Sequence, residues 1–215
     1  MSIAEGLASI QNVIPSDVTL VAVSKTKPIE AIQEAYAHGI RDFGENRPAE
    51  LVGKAKELPN DIRWHAIGHL QRNKASMVAP ISTLIHAVDS VRLYDELSKH
   101  AGEKLDVLIQ IHIADEQNKH GFSSEDIKKI LDTGNEFHCP NIRIKGLMGM
   151  ATFTDNNSQI ISEFKALRTL FDEMSPTFGK DFDTLSMGMS GDWKIAIDEG
   201  STLIRVGSAI FGSRN

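Results

Sequence analysis

Three short segments, widely separated in the chain, carry the residue types needed to hold a phosphorylated aldehyde. An apolar run, 21–23, leads into Lys25, whose amine can condense with an aldehyde. Two segments rich in Gly and Ser, 186–191 and 204–208, can bind phosphate through hydroxyl and backbone N–H groups. The second also contains Arg205, whose guanidinium can donate to a ring nitrogen. Pyridoxal 5′-phosphate (PLP) combines an aldehyde, a phosphate and a pyridine ring, so the three segments predict a PLP site.

Composition excludes several other classes of function. The 215 residues carry a net charge of −6, which argues against a nucleic-acid or anionic-membrane surface. No segment approaches the roughly 20 apolar residues needed to span a bilayer, and the N-terminus lacks the basic and apolar regions of a signal peptide. The single cysteine, Cys139, rules out a disulfide framework and fits a reducing compartment. We therefore expect a cytoplasmic protein.

Short apolar runs alternate with amphipathic stretches along the whole chain. Several runs, notably 107–113, are almost continuously apolar, as in strands of a parallel sheet that are buried on both faces. The predicted strands are 19–24, 40–43, 63–67, 84–88, 105–113, 143–149, 183–187 and 202–206.

Helix signals fill the gaps between these strands. A leading helix is predicted at roughly 2–13, and Pro28 is predicted at the first position of another. Ser90 is a candidate N-cap, and so is either Ser123 or Ser124. The clearest helical spacing of apolar residues covers 158–174.

Eight strands, each followed by a helix, predict one (β/α)₈ TIM barrel over residues 1–215, with an extra N-terminal helix. A doubly wound open sheet is the alternative. In a barrel the chemistry lies at the carboxyl ends of the strands, and phosphate commonly binds after strands 7 and 8. Closure makes strand 8 a neighbour of strand 1, which would bring Lys25 to the two Gly/Ser segments.

Each residue of this site has a predicted task. Lys25 is the Schiff-base residue, and nearby cations, for which Lys27 and Arg205 are candidates, would lower its pKa. Ser190 either binds phosphate or simply caps the following helix. Arg205 would keep a pyridine nitrogen unprotonated, which weakens the ring as an electron sink.

Several motifs resemble the pyridoxal phosphate homeostasis protein family, and the resemblance runs from about residue 2 to the end. They are Ala-Val-Ser-Lys-Thr-Lys-Pro at 22–28, Phe-Gly-Glu-Asn at 43–46, Trp-His-Ala-Ile-Gly-His-Leu-Gln-Arg-Asn-Lys at 64–74, Thr-Leu-Ser-Met-Gly-Met-Ser at 184–190 and Arg-Val-Gly-Ser-Ala-Ile-Phe-Gly at 205–212.

The resemblance implies a fold similar to the N-terminal barrel of alanine racemase, which is fold type III among PLP proteins. It also implies that Lys25 carries PLP, that Arg205 lies near the ring nitrogen, and that Asn46 lines the pocket. The positions implied to hold the phosphate are Ser186, Ser190, Gly207 and Ser208.

Metal and nucleotide motifs are not expected. His65 and His69 lie four residues apart, but Gly68 between them indicates a turn, and His-Glu-x-x-His is absent. His138 and Cys139 lack two further ligands nearby. The sequence also has no Gly-x-Gly-x-x-Gly signature and no Walker loop.

Two functions remain open: a PLP carrier without turnover, and a small PLP-dependent amino-acid racemase. A racemase needs an acid/base group on each face of the substrate, and in alanine racemase one of them is a tyrosine from an additional C-terminal domain. Tyr36 and Tyr94 both fall in predicted helices, and the chain ends at Asn215. The carrier is therefore the leading prediction, as the resemblance also implies.

A carrier must also release PLP. We expect either Lys27 or Lys119, in the loop after strand 5, to accept the aldehyde transiently. Apo forms of PLP-dependent enzymes are the candidate acceptors, and the chain is expected to be a monomer.

Overall fold

The computed structural model describes residues 2–115, 120–133 and 137–212. Its eight strands form one closed, fully parallel barrel in chain order, with β1 paired to β8. The strands are β1 Thr19–Val23, β2 Asp42–Glu45, β3 Arg63–Ala66, β4 Leu84–Val88, β5 Leu105–Gln110, β6 Ile142–Met148, β7 Thr184–Ser186 and β8 Leu203–Val206. Closure confirms the (β/α)₈ prediction and excludes the open sheet.

A helix follows every strand, and one helix precedes the first strand, as predicted. A 3₁₀ turn, Arg72–Lys74, lies before the fourth helix. The helices are α1 Ile3–Gln11, α2 Ile29–Ala37, α3 Pro48–Glu57, α4 Ala75–Val78, α5 Val91–Ser98, α6 Ser124–Thr133, α7 Asn157–Phe178, α8 Trp193–Asp198 and α9 Ser208–Phe211.

Local side-chain chemistry sets several helix ends. The Ser90 hydroxyl accepts from the backbone N–H of Leu93, which confirms Ser90 as the N-cap of α5. At α6, Ser123 rather than Ser124 supplies the cap, because its hydroxyl accepts from the Asp126 N–H. Pro28 is the N-cap of α2, one position before the predicted one.

Two strands differ from their predicted limits by more than one residue at an end. The second was predicted at 40–43, but the Ile40 N–H bonds to Ala35 at the end of α2, so pairing begins only at Asp42. The fifth ends at Gln110: the Ile111 N–H still donates to the Met148 carbonyl of β6 at 2.8 Å, but the bridge partner of Ile111 is Phe122. In both cases an apolar residue packs without continuing the strand.

Two separate apolar clusters stabilise the fold. The larger lies between the barrel and its helices. The smaller contains residues of five strands and no helix residue, which places it inside the barrel; its members are Val21, Leu84, Ala87, Leu108, Met148 and Leu203. The interior also contains polar side chains, among them His65, His86, Ser186 and Arg205, all buried.

Candidate functional site

The loops at the carboxyl ends of the strands surround a cavity of about 790 Å³. They are the loops that follow β1, β2, β3, β6, β7 and β8. The cavity is lined by Lys25, Asn46, Ser190, Arg205, Gly207 and Ser208. Every sequence-predicted site residue except Ser186 therefore lines one cavity.

Pairing of the first and last strands brings the lysine beside the phosphate-type turn. Val21 and Ala22 of β1 lie opposite Arg205 and Val206 of β8. One residue further, a Cβ on Gly207 would lie 3.1 Å from the carbonyl oxygen of Val23, so the two backbones are in close contact there. Lys25 and the turn after β8 consequently share one edge of the cavity.

A tight turn holds Lys25 at this edge. The Lys27 N–H bonds to the Ser24 carbonyl at 3.0 Å, and Thr26 between them has φ of 63°. A β-branched residue in this left-handed region is strained. The Thr26 N–H donates to the Glu50 carboxylate at 2.8 Å, which helps to stabilise the turn. Lys25 is thus presented by a constrained loop.

Beneath this turn lies a buried ion pair that sequence analysis did not anticipate. The Lys54 amine donates to the Glu45 carboxylate at 2.7 Å and to the Ser24 carbonyl at 2.8 Å. The Ser24 hydroxyl donates to the same Glu45 oxygen at 2.6 Å. Burial raises the pKa of Glu45, although Lys54 and Ser24 oppose the shift. The sequence signal available for this ion pair was an acidic residue, Glu45, in a motif next to a strand that was predicted to be buried.

The turn after β7 presents donors to the cavity. Within the described chain, no hydrogen bond engages the backbone N–H groups of Ser190, Gly191 and Ser208. The Ser190 hydroxyl accepts from the Gly207 N–H at 3.2 Å and so joins the two turns, while its own proton can still be donated. Ser190 does not cap α8, because the N-cap is Asp192. These groups form a cradle of donors suited to an anion.

The loop after β6 closes another side of the cavity. Thr152 donates through its N–H and its hydroxyl, each at 2.7 Å, to the buried carboxylate of Glu163 on α7. Phe153 beside it is almost fully exposed at the rim. Glu163 therefore fixes this wall.

Arg205 is buried where it meets the cavity. It donates through Nη1 to the Ser186 carbonyl at 2.9 Å and to the Ser186 hydroxyl, and through Nη2 to the Gly149 carbonyl at 3.1 Å. Burial lowers the pKa of Arg205 to about 10, so the guanidinium remains a cation at neutral pH. Arg205 is a rigidly held, permanent donor.

Ser186 lies elsewhere than predicted. It is fully buried, it does not line the cavity, and its hydroxyl bonds to Arg205 and to His86 Nδ1, the latter at 2.9 Å. The side chain of this last β7 residue points into the barrel rather than to the mouth. Its contacts with the guanidinium make it a positioning residue for Arg205.

From Ser186 a chain of buried hydrogen bonds continues through the barrel. His86 Nε2 lies 2.9 Å from His65 Nδ1, and His65 Nε2 lies 3.0 Å from the Asp42 carboxylate. Asp42 and His65 line a second cavity of about 310 Å³ at the opposite mouth. The chain thus connects Arg205 at one mouth with Asp42 at the other.

The partners determine the direction of this chain. Burial lowers the pKa of His86 well below its usual range, so His86 carries a single ring proton. With that proton on Nε2, His86 donates to His65, which donates to Asp42, and the Ser186 hydroxyl donates to His86 Nδ1. The other tautomer would leave the Ser186 proton without an acceptor. Every donor therefore points from Arg205 towards Asp42.

The remaining candidate lysines and tyrosines differ in position. Lys27 lines the cavity, but its amine donates to the Phe211 and Gly212 carbonyls at 2.8 and 3.2 Å and so holds the end of α9. The Tyr36 hydroxyl donates to Asp61, and the Tyr94 hydroxyl accepts from the Cys139 N–H. Neither tyrosine lines the cavity. Lys119 lies outside the described residues.

Comparison with known proteins shows which family this chain belongs to. The alanine racemase N-terminal domain family matches residues 2–215. A pyridoxal phosphate homeostasis protein of Aquifex aeolicus is 37% identical over 199 residues, which cover 91% of this chain and 86% of that protein. The chain belongs to the pyridoxal phosphate homeostasis protein family. This confirms the family predicted from the motifs.

Solved structures are similar to this chain over nearly its whole length. PipY of Synechococcus elongatus PCC7942, with PLP bound, superposes with a TM-score of 0.88 at 37% identity, covering 98% of this chain and 100% of PipY. Alanine racemase of Clostridium difficile 630, in complex with cycloserine, gives a TM-score of 0.80 at 14% identity, covering 99% of this chain and 60% of that enzyme. The latter likeness confirms the racemase-like barrel fold.

Among the described residues, no helix is both long enough and apolar enough to cross a membrane.

Proposed function

We propose that this chain binds PLP and serves in PLP homeostasis, with Lys25 as the residue that holds the cofactor covalently. The observation that carries the proposal is the meeting of Lys25, two donor-rich turns and Arg205 around one cavity. PLP-bound PipY, 37% identical over nearly the whole chain, supports the same ligand.

The residues present fit the chemical parts of PLP. The free N–H groups of Ser190, Gly191 and Ser208, with the Ser190 hydroxyl, would hold the phosphate. Lys25 stands at the same edge, on a turn constrained by hydrogen bonds. Asn46, directly after β2, would line the cofactor pocket.

Arg205 would face the pyridine nitrogen. When bound, PLP supplies an aldehyde and a ring that can accept electrons. A cationic donor that keeps its own proton also keeps that nitrogen unprotonated, which weakens the ring as an electron sink. The hydrogen bonds to Ser186 and Gly149 hold Arg205 in place for this task.

A carrier without substantial turnover fits these contacts better than a racemase. A racemase needs a second acid/base group facing the substrate. Tyr36 and Tyr94 are held by Asp61 and Cys139 and do not line the cavity. The cavity thus has the means to hold PLP, but neither tyrosine can act in it.

The binding test is spectroscopic. Purified protein should show a yellow absorbance band that borohydride reduction removes, and the reduced label should map to Lys25. Lys25→Ala should lack the label. Lys194→Ala, which removes an exposed lysine of α8, should keep it. A label on another lysine, or an equal label in Lys25→Ala, would refute the assignment.

Turnover is tested separately, by incubating the PLP-loaded protein with L- and D-alanine in deuterated water. The carrier proposal predicts negligible exchange of the α-proton. Exchange at enzymatic rates would establish the racemase instead. This result is independent of whether Lys25 is labelled.

Release and assembly remain predictions. Delivery to apo-enzymes should be slower in Lys27→Ala or Lys119→Ala if either amine accepts the aldehyde. Because the Lys27 amine bonds to the end of α9, we expect Lys27→Ala to disturb the cradle near Ser208 as well. Light scattering tests the expected monomer.

A further inference from the structure

A group of metal-type ligands lies on the same rim as the PLP cavity but outside it. His69 follows β3, Asp89 directly follows β4, and His120 lies in the loop after β5. Within the described residues, these three are the group of His, Cys and acidic side chains whose ligand atoms all converge within 4.8 Å. None of them lines the PLP cavity.

The geometry centres on one carboxylate oxygen. Asp89 Oδ2 lies 2.8 Å from His69 Nδ1 and 3.9 Å from His120 Nδ1. Ligand atoms of a tetrahedral Zn²⁺ site are about 3.3 Å apart, given bond lengths of about 2.0–2.2 Å. The two observed distances lie on either side of that value. Both imidazoles are about half-exposed, so small rotations of these side chains would bring their nitrogens to one ion.

Supporting contacts fix the carboxylate and the third ligand's backbone. The other oxygen of Asp89 accepts from the Ser90 hydroxyl at 3.3 Å, which leaves Oδ2 for the histidines. The buried amide of Gln110 donates to the His120 carbonyl at 3.2 Å. Hydrogen bonds to a ligating carboxylate, such as that from Ser90, orient the ligand in metal sites.

We propose that His69, Asp89 and His120 form a binding site for a divalent transition metal ion of the Zn²⁺ type. Imidazole nitrogen and carboxylate oxygen are ligands that Zn²⁺ and Co²⁺ accept, and three protein ligands leave a coordination position open. Two neutral imidazoles and one carboxylate carry a single negative charge, which a dication converts to a single positive charge. This group of ligands could not be recognised in the sequence, because its members follow three different strands. The local spacing of His65 and His69 is unrelated to it, because the His65 side chain points into the barrel.

The site adjoins the PLP pocket through the backbone. A Cβ on Gly68, next to His69, would lie 2.5 Å from the carbonyl oxygen of Asn46, so these two segments are in direct contact. Metal binding does not depend on PLP, because no ligand of the proposed site contacts the PLP cavity.

The test is titration of the untagged, PLP-free full-length chain with Co²⁺, followed by competition with Zn²⁺. Wild type should bind one equivalent, with visible d–d absorption that Zn²⁺ abolishes. His120→Ala and Asp89→Asn should each weaken binding at least about ten-fold. The matched control is His100→Ala, which removes a partly exposed histidine that also pairs with a carboxylate, that of Glu96, and should leave binding unchanged.

Circular dichroism and thermal unfolding without metal show whether each variant is folded, and His120→Gln provides a milder second variant. Saturable binding that persists unchanged in folded His120 variants would overturn the proposal. So would the absence of saturable Co²⁺ binding by wild type, because the three side chains would then form only a hydrogen-bonded cluster. PLP labelling of Lys25 is a separate readout that neither result alters.

Discussion

Replacing His86 tests the buried hydrogen-bond chain most directly. His86→Leu keeps a side chain of similar size but leaves the Ser186 hydroxyl proton without its acceptor and His65 Nδ1 without its donor. Each unsatisfied buried group costs about 1–3 kcal/mol, so this variant should lose about 2–6 kcal/mol of unfolding free energy. His86→Gln retains one donor and one acceptor, as the neutral imidazole does, and should lose clearly less.

The assay is denaturant unfolding, followed by both tryptophan fluorescence and circular dichroism, with a check that the slope against denaturant is unchanged. His100→Leu, at a partly exposed ion pair, should change the unfolding free energy by no more than about 0.5 kcal/mol. Equal stability of the Leu and Gln variants at position 86 would refute the reasoning. PLP should also dissociate faster from His86→Leu, because the Ser186 hydroxyl that accepts from Arg205 would lose the contact with His86 that fixes its orientation.

Three further predictions concern the elements around the cavity. Lys54→Met should cost about 3–5 kcal/mol of unfolding free energy, because it leaves a buried carboxylate unpaired, and denaturant unfolding measures the loss. Burial alone would raise the pKa of Asp42, but hydrogen bonds from its His and Arg partners outweigh burial and lower it. The ionised Asp42 carboxylate therefore stabilises the folded state fully above the ordinary aspartate pKa of about 4, and this stabilisation is lost as the pH falls through the lowered pKa of Asp42. Below about pH 4, wild type should accordingly lose more thermal stability than Asp42→Asn. Gly68→Ala should weaken PLP binding, measured by absorbance titration, because its Cβ would overlap the Asn46 carbonyl, whereas Gly53→Ala has open space and should not; equal affinities would contradict this reading.

The order of strands and helices was predictable, because parallel strands that are buried on both faces appear in the sequence as near-continuous apolar runs. The errors occurred where an apolar residue serves another element. Ile40 closes α2 instead of opening β2, and Ile111 forms a bridge with Phe122 just beyond the end of β5. The hydropathy of a residue indicates whether it is buried, but it does not indicate which element the residue packs against.

The site was predictable in part for a related reason. Lys25 and the turn after β8 could be placed at one mouth because barrel closure puts the ends of β1 and β8 together. Glu45 was missed, because its carboxylate is stabilised by a lysine from a helix rather than by neighbours in sequence. The bonds of Ser186 to His86 and Arg205 inside the barrel were not predicted, because they join residues that are far apart in the chain.

The sequence by itself determined the alternation of strands and helices, the mouth at which the candidate site lies, and the family. Only the tertiary structure decided which polar side chains meet across the barrel, such as His65 with His86, and across its rim, such as His69 with Asp89 and His120. The physical reason is that the relative register of the strands and the paths of their loops set these contacts. Each contact joins residues about twenty or more positions apart, beyond the reach of any local pattern in the chain.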